Sequence, residues 1–448
     1  MQYIEAVRTM QAKLSVVNRI MLLCGIALII IWPIEGTLAL RNLLLFVGGA
    51  LGLKQTVQHS DLLRGPSARP IQLITALGLW VIFHYLVLSQ NSPRELYHLK
   101  HSWLPGAFAA FLGIGTGLVA GSNSRWRKGI FFGLLAFLLF FYANYFQISY
   151  SLGRFTMPYP WEMGYYGNKI SIVVFGMLSL AITLSMLSQT FQILDKGNTL
   201  RSLGIALLLV LNLLAFLLVG TKNGMALGTI VLGCFVLIEL VARRKNWKVI
   251  AILSGIIVTG VTILYVHTKS INEWDNFSAT VTAGFQTDKY DNWSNHEAMG
   301  PPVLADGTVT KDSAYVRTAY AVLGAQFLLE KPLGYGSLND SFKYLVKEKY
   351  PEKKDTTVVA TLSGWLDFGL AMGLPGLLLL LAAVGSTYYL AWGQSTLWSK
   401  STMWLMATLA LAWLVAEVCD DIFLESLLFF VCLFSAGNIS HPKMGKSL

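Results

Sequence analysis

The chain has 448 residues, of which 54% are hydrophobic and 13% are charged, and its mean hydropathy is +0.56. Soluble domains contain about 25% charged residues, so this composition excludes an ordinary soluble protein and indicates many membrane-spanning helices. The formal net charge of +10 would suit a nucleic-acid-binding protein, but the basic residues are distributed as in a membrane protein.

Apolar stretches divide the chain into three parts. Residues 1–266 contain nine predicted spans, residues 267–361 form a hydrophilic segment, and residues 362–448 contain three more spans. An apolar helix of about 20 residues crosses a bilayer, so the pattern predicts an all-α integral membrane protein of about 12 transmembrane helices. The predicted spans are 17–33, 37–53, 70–89, 105–121, 129–149, 169–190, 202–219, 223–241, 248–266, 363–389, 401–416 and 422–437.

Basic residues are concentrated on one side of these spans. Eighteen lie in loops and termini of that side, whereas the short loops and span ends of the other side carry six. Because Lys and Arg mark cytoplasmic loops, we expect both termini in the cytoplasm of a Gram-negative cell and the segment 267–361 at the periplasmic side of the inner membrane. The positive charge is therefore a topology signal, and nucleic acid is not an expected partner. The six are Arg41, Arg94, Lys100, Arg154, Lys169 and Lys222.

The hydrophilic segment 267–361, called the cap segment below, is predicted to fold. Aromatic residues are spread along it, which is not typical of a disordered linker. SAYVRTAYAVLGAQFLLEK places apolar residues at helical spacing and ends before Pro332, and SFKYLVKEKY reads as a second, short helix. The sequence thus predicts a helical periplasmic cap between spans 9 and 10.

Three basic residues on the outer side could bind an anion. Arg154 follows span 5, Lys222 lies in the turn VGTKNGMAL between spans 7 and 8, and Arg317 interrupts the apolar helix of the cap segment. Arg binds phosphate with two parallel N–H groups and Lys with a compact charge, so three such residues could hold a diphosphate at the lipid–water boundary. A single Arg or Lys at a helix end can equally be a topology marker or a snorkelling side chain.

Further candidates are aromatic and titratable. Trp161 and Tyr165, in the loop that carries Arg154, could pack against sugar rings, or they could belong to an interfacial aromatic belt. His296 lies well inside the cap segment and could act as a base or be a surface residue. No close spacing of His, Glu and Asp suggests a metal site, and no glycine-rich phosphate loop is present, so we expect neither metal nor cofactor.

The cap segment and the span after it resemble the O-antigen ligase and polymerase superfamily. The resemblance lies in RTAYAVLGAQFLLEKPLGYGSLNDSF, in the following SGWLDFGLAMGLPGLLLLL, and in the long outer loop after span 9. Members of that superfamily are multi-spanning inner-membrane glycosyltransferases with a large periplasmic loop near the C-terminus. The resemblance implies a GT-C-like fold, and twelve spans with both ends inside fits the ligase that joins O-antigen to lipid A–core.

The resemblance also implies an activity. Such a ligase moves a glycan from undecaprenyl diphosphate to a sugar hydroxyl of lipid A–core, with inversion at the anomeric carbon and without metal or nucleotide sugar. The expected partners are therefore the lipid-linked donor, the lipid A–core acceptor and membrane lipids. In this chain, Arg154, Lys222 and Arg317 would bind the diphosphate, and Asp367 would either orient the acceptor, pair with an Arg or cap its helix.

Two positions depart from the family pattern. The turn that usually carries Ser-Arg reads Thr221-Lys222, which keeps the charge and loses the bidentate geometry. The pattern H-[NS]-x-x-L…G-x-P-G places a His where this chain has Leu362, followed by Ser363. Three explanations fit: the chain is an inactive form, another group such as His296 serves as base, or a base is less necessary when cations stabilise the leaving diphosphate.

Other functions remain as alternatives. An O-antigen polymerase or a protein O-oligosaccharyltransferase of the same superfamily would share the donor and the chemistry, and would differ in the acceptor. A polytopic transporter or flippase predicts repeat symmetry between two halves, and the sequence shows no obvious internal repeat. A non-catalytic membrane scaffold would tolerate leucine at position 362.

Overall fold

The structure is a computed structural model that describes residues 15–160, 163–166, 168–192, 199–270, 274–353, 356–416 and 421–440. In these ranges the chain is helical, with isolated β-bridges and no extended strand. The helices are α1 Val16–Ile31, α2 Leu38–Gln58, α3 Arg69–Phe83, α4 Ser92–His98, α5 Leu104–Ser122, α6 Ser124–Ser151, α7 Lys169–Phe191, α8 Thr199–Val219, α9 Lys222–Arg243, α10 Trp247–Ser270, α11 Phe277–Phe285, α12 His296–Met299, α13 Asp312–Glu330, α14 Ser341–Lys349, α15 Gly364–Ala391, α16 Leu397–Ala412 and α17 Asp421–Ser440.

Nine helical stretches in the described part of the chain are long and apolar enough to cross a membrane. The other three predicted spans correspond to α1, α2 and α16. Helices α1 and α16 have 16 residues each, and α2 carries Arg41 and Lys54. The nine stretches are Pro66–Leu88, Ser92–Ser122, Ser124–Ser151, Lys169–Phe191, Arg201–Val219, Lys222–Arg243, Trp247–Ser270, Gly364–Ala391 and Asp421–Ser440.

Helices α5 and α17 form the centre of the bundle. A Cβ atom at Gly113 would lie 2.4 Å from the carbonyl oxygen of Phe429, and one at Gly117 would lie 2.2 Å from that of Leu433. Side chains larger than hydrogen would therefore push the two helices apart. Small residues at four-residue spacing are the usual means by which membrane helices bring their backbones together.

A buried ion pair lies beside this centre. Arg41 of α2 and Glu425 of α17 are separated by 3.4 Å between Nε and Oε2, and the Trp32 indole donates to the same carboxylate oxygen at 3.1 Å. Both charged side chains are less than a tenth exposed. Charges this deep in a bundle persist only when paired, so Arg41 is a packing residue of α2.

Three contacts fix which helix ends share a face. The Gly364 N–H at the start of α15 donates to the carbonyl oxygen of Trp413, just after α16, at 2.8 Å. At the opposite end of α16, Lys400 donates to Ser188 near the end of α7, and Arg243 at the end of α9 donates to the Ser188 carbonyl oxygen. The starts of α7, α9 and α15 therefore lie on one face of the bundle, which we call the site face.

The cap segment has a core of its own and rests on α15. The bounds of α13 and α14 confirm the two helices predicted from the sequence, and α13 ends before Pro332 as expected. Its buried aromatic residues pack together with Leu370 of α15. The described cap residues thus form a folded layer that continues into the bundle. These aromatic residues are Trp293, Tyr315, Tyr320, Phe327 and Phe342.

Candidate functional site

Arg317 and Leu362 are in direct contact on the site face. The half-buried Arg317 guanidinium of α13 donates through Nη1 to the carbonyl oxygen of Leu362 at 3.1 Å. The contact joins residues 45 positions apart, just before α15 begins. The basic residue that interrupts the apolar helix of the cap segment therefore contacts the position where the pattern of the resembled family has a His.

Leu362 adopts an unusual backbone conformation. Its φ of 62° lies in the left-handed region, which costs an L-residue with a Cβ about 1–2 kcal/mol. Asn, Asp and His are several-fold enriched in that region, whereas a branched aliphatic residue is not. The backbone at position 362 is thus better suited to His than to the Leu that this chain carries.

Asp367 holds this turn in place. Its Oδ1 accepts hydrogen bonds from both the Thr361 N–H and the Thr361 hydroxyl, each at 2.7 Å, and the side chain is 3% exposed. The Thr361 hydroxyl in turn accepts from the N–H of Ser363, the buried N-cap residue of α15, at 3.3 Å. Both bonds to Asp367 come from Thr361, two residues before the N-cap residue Ser363, so they hold the turn that precedes α15 and do not cap the helix itself.

Lys222 and the loop after α6 form a second group on the site face. Lys222 is the first residue of α9, and the Thr221 hydroxyl caps that helix by accepting from the Gly224 N–H at 3.3 Å. The loop reaches this turn because the Tyr159 N–H donates to the Leu218 carbonyl oxygen at 2.6 Å. A Lys at the positive end of a helix dipole raises the local potential further, which favours an anion.

The loop itself is anchored on α6. The Asn144 side-chain oxygen accepts from the Tyr165 N–H at 3.0 Å and from the Tyr159 hydroxyl, while the Tyr165 hydroxyl donates to Gln147. Burial raises the pKa of the Tyr159 phenol, so it stays a donor. Arg154 and Tyr165 are exposed beside this anchor. Trp161 lies outside the described residues.

The segment that carries His296 is hydrogen-bonded to the chain that precedes Leu362. His296 is half-buried and begins α12, and two residues before it the Ser294 carbonyl oxygen accepts from the Thr357 N–H at 3.1 Å. Lys353 donates to Asp291 at 2.7 Å, and this hydrogen bond holds the pKa of the Asp291 carboxyl below its usual range. The segment with His296 is therefore pinned to the chain that leads to Leu362.

A break in α15 explains two glycine motifs, G-L-P-G within that helix and P-L-G-Y-G directly after α13. Gly373 has φ 68° and interrupts the helix, and Pro375 has no N–H to donate to the Ala371 carbonyl oxygen. The turn P-L-G-Y-G after α13 replaces the missing bonds. The Tyr335 N–H donates to the Leu370 carbonyl oxygen at 2.8 Å, and the Gly336 N–H donates to that of Ala371 at 2.8 Å. In the other direction, the Leu374 N–H donates to the Pro332 carbonyl oxygen at 2.7 Å.

The P-L-G-Y-G turn and the break in α15 pack with their backbones in direct contact. A Cβ atom at Gly334 would lie 2.4 Å from the Gly373 nitrogen, and one at Gly373 would lie 2.4 Å from the Leu333 carbonyl carbon. Gly334 and Gly373 also have positive φ angles. Both motifs are therefore required by one docking contact that fixes the C-terminal end of α13 to the middle of α15.

Sequence analysis missed a buried polar group beneath this turn. His84 donates through Nε2 to the Leu333 carbonyl oxygen at 3.0 Å, and its Nδ1 lies 2.7 Å from Glu95 Oε1. His98 Nε2 lies 3.0 Å from the Ser337 hydroxyl. All four side chains are less than a tenth exposed. Their spacing along the chain gives no signal, because the contacts with Leu333 and Ser337 join His84 and α4 to residues more than 200 positions away.

The chemistry of this face is cationic. Arg317 and Lys222 lie on the same face of the bundle, and the exposed Arg154 lies on the loop that packs against the end of α8. Guanidinium and ammonium groups can hold phosphate oxygens and stabilise negative charge on a leaving group. Among the described residues, no group of three or more His, Cys, Asp or Glu side chains is arranged to hold a metal ion.

Comparison with known proteins found no family model and no curated protein that matches the chain.

Proposed function

We propose that the chain is an inverting, metal-independent glycosyltransferase of the O-antigen ligase type. It would move O-antigen polysaccharide from undecaprenyl diphosphate to a sugar hydroxyl of lipid A–core. The observation that carries the proposal is the contact between Arg317 and Leu362. It brings a cation for the donor to the position that the resemblance assigns to the acceptor hydroxyl.

The donor would be held by its diphosphate. Arg317 donates one N–H to Leu362, and its planar guanidinium is the group that would contact the phosphate oxygens. Lys222 adds its charge at the start of α9, and Arg154 closes the site from the loop. Tyr165 is exposed beside Arg154 and would pack against a donor sugar, together with Trp161.

The transfer forms one bond and breaks one bond. The acceptor oxygen attacks the anomeric carbon, the bond from that carbon to the diphosphate oxygen breaks, and undecaprenyl diphosphate leaves with the electron pair. The acceptor proton passes to a base or to a phosphate oxygen. Leucine at position 362 cannot take this proton, so the cations would carry most of the stabilisation, and His296 is the candidate base that the sequence offers.

The membrane placement forms part of the proposal. With α1, α2 and α16 counted as spans, the helices give a GT-C-like bundle of twelve with both termini in the cytoplasm. The excess of Lys and Arg on the other face favours this orientation. The site face would then be periplasmic, in the inner membrane of a Gram-negative cell, where lipopolysaccharide is completed.

A deletion strain tests the proposed function. We expect loss of long O-antigen from the cell surface and accumulation of undecaprenyl-linked polymer. Surface glycans reduced to single repeat units would instead indicate the polymerase. An unchanged glycan profile would contradict both. Purified protein with an undecaprenyl-diphosphate-linked glycan and lipid A–core should form the ligated product at the same rate in the presence of EDTA.

A further inference from the structure

An apolar groove runs along the membrane helices below Lys222. It lies between α9 and α10 with α8 at its back, and its volume is about 340 Å³. This is the size of a small-molecule pocket, and apart from Thr229 and three glycines its lining is aliphatic, aromatic or Met. The lining includes Phe216 of α8, Met225, Gly233 and Leu240 of α9, and Ile257 and Val261 of α10.

The groove is open to the lipid side. Among its lining residues Leu237 is 64% exposed and Val261 is 61% exposed, although both are apolar. Gly233 is also exposed, and a Cβ atom there would meet no atom within 4 Å. The groove therefore has an empty floor at Gly233 and a mouth through which a hydrocarbon chain can enter from the bilayer.

One stripe of α9 connects the groove to Lys222. Residues 3, 7, 11, 14 and 18 positions after a residue share its helix face, and these positions after Lys222 all line the groove. The stripe from Met225 to Leu240 is about 22 Å long, against a bilayer core of about 30 Å. The stripe consists of Met225, Thr229, Gly233, Val236 and Leu240.

We propose that this groove, called the tail groove below, binds a segment of the polyprenyl chain of the donor while Lys222 holds its diphosphate. The proposal rests on the proposed function, because it takes the donor to be a polyprenyl diphosphate. The charge at one end and the apolar stripe below it match an anionic head group on a single hydrocarbon chain. Binding the chain here fixes the height of the diphosphate relative to Arg317.

The opposite end of the hairpin is a poorer place for the head group. The basic residues Arg244, Lys245 and Lys248 lie at the turn between α9 and α10. The lining residues of α10 begin only at Ile257, ten residues beyond Trp247, which is about 15 Å along the helix. On α8, where Leu213 and Phe216 lie near the end of the helix, and on α10 the lining therefore lies toward the end that carries Lys222, whereas on α9 it continues to Leu240. The lining of α8 and α10 favours a lipid whose head group lies on the site face.

Binding of two probes to the purified full chain tests the tail groove. Binding of undecaprenyl diphosphate depends on both the head group and the hydrocarbon tail, whereas binding of inorganic diphosphate depends on the head group alone. Both are measured by native mass spectrometry. The Gly233→Leu variant fills the groove floor. Gly255→Leu is the matched control, because Gly255 is an exposed α10 glycine whose Cβ would meet no atom within 4 Å and which does not line the groove.

We expect Gly233→Leu to weaken undecaprenyl diphosphate binding about tenfold, the loss of about two buried CH₂ groups, and to leave inorganic diphosphate binding unchanged. Gly255→Leu should leave both unchanged. If Gly233→Leu binds undecaprenyl diphosphate like the wild type while Lys222→Ala does not, the tail groove is wrong and the proposed function stands.

Two other results would overturn the proposal. Equal losses in Gly233→Leu and Gly255→Leu would show a general effect on the membrane helices. The second result is that the wild type retains phosphatidylglycerol but not undecaprenyl diphosphate, and that Gly233→Leu loses the phosphatidylglycerol. This result would assign the groove to a phospholipid. That last result would count against the proposed function as well.

Discussion

The guanidinium of Arg317 is hydrogen-bonded to the carbonyl oxygen of Leu362 at 3.1 Å, although the two residues are 45 positions apart. Arg317 is carried by the cap segment, and Leu362 directly precedes the N-cap residue of α15. One hydrogen bond of the cation therefore depends on the backbone conformation of the residue that precedes the start of α15. The predictions below follow from this arrangement and from the contacts around it.

Removal of the Arg317 guanidinium should abolish ligation. We expect Arg317→Ala to lower the rate at least about 100-fold, as loss of a charge-stabilising donor does in other active sites. Arg317→Lys keeps the positive charge but loses the planar, bidentate guanidinium, and should retain part of the activity. Ligation is measured by the O-antigen ladder in a ligase-deficient strain. Wild-type ligation by an inserted Arg317→Ala protein would remove Arg317 from the site.

Substitutions at Leu362 distinguish the effect of backbone strain on stability from the effect of a catalytic base on ligation. Leu362→Gly should relieve the left-handed strain of about 1–2 kcal/mol, partly offset by lost packing, without raising ligation. Leu362→His should both suit the backbone and supply a base, so ligation should rise. Thermal unfolding and the O-antigen ladder are measured for both variants. Equal ligation by wild type and Leu362→His would rule out the idea that leucine makes this chain an inactive form.

Asp367→Ala tests whether that carboxylate only holds the turn before α15 or also contacts the acceptor. Loss of the two hydrogen bonds from the buried Thr361 should lower stability by about 1–3 kcal/mol, because the Thr361 donors are left unpaired. If holding the turn is its only role, ligation per folded molecule should stay unchanged. A much larger loss of ligation at equal protein level would mean that Asp367 also contacts the acceptor. Asp367→Asn, which retains one acceptor oxygen, is the matched variant.

Gly373→Ala should disrupt the dock between the P-L-G-Y-G turn and α15. The added Cβ would lie 2.4 Å from backbone atoms, and φ 68° with ψ −178° is a region that essentially only Gly adopts. We expect a loss of about 2–4 kcal/mol, seen as a lower unfolding temperature. Gly385→Ala is the control in the same helix, because its Cβ would meet no atom within 4 Å. Equal unfolding temperatures for the two variants would refute the dock.

Glu95→Ala should loosen the cap segment from the bundle. It leaves the buried His84 without its carboxylate partner, which costs about 1–3 kcal/mol. Glu95→Gln keeps a polar partner and should restore part of the loss. Limited proteolysis within residues 274–353 reports the change. Unaltered protection in Glu95→Ala would show that the pair does not hold the cap segment.

Local patterns in the sequence predict the helices well and the site contacts poorly. The bounds of α13 follow from apolar spacing and from Pro332, since both act within one helix. The left-handed φ of Leu362 and the dock of the turn on α15 arise from packing between distant segments, which no periodicity encodes. Likewise, His84 lies in an apolar run, and nothing in the sequence around it indicates its hydrogen bonds to Glu95 and to the Leu333 carbonyl oxygen.

The count of spans shows the same limit. Hydropathy selects the long apolar helices, whereas α1 and α16 have 16 residues and α2 carries Arg41, which Glu425 neutralises only after folding. The glycine motifs were visible as motifs, but their cause is the two missing hydrogen-bond donors at the break of α15. Sequence alone places Arg154, Lys222 and Arg317 on one side, and it does not show what each one touches.

The break in α15 has a consequence for biosynthesis. Gly373 lies nine residues into the helix, about 13 Å from its start, so two carbonyl groups would face lipid there without partners. The turn that supplies their donors, residues 332–336, is translated before α15 leaves the ribosome. The cap segment therefore supplies the hydrogen-bond donors that complete its own next helix, and we expect a chain whose cap is deleted to insert or fold poorly whatever its effect on activity.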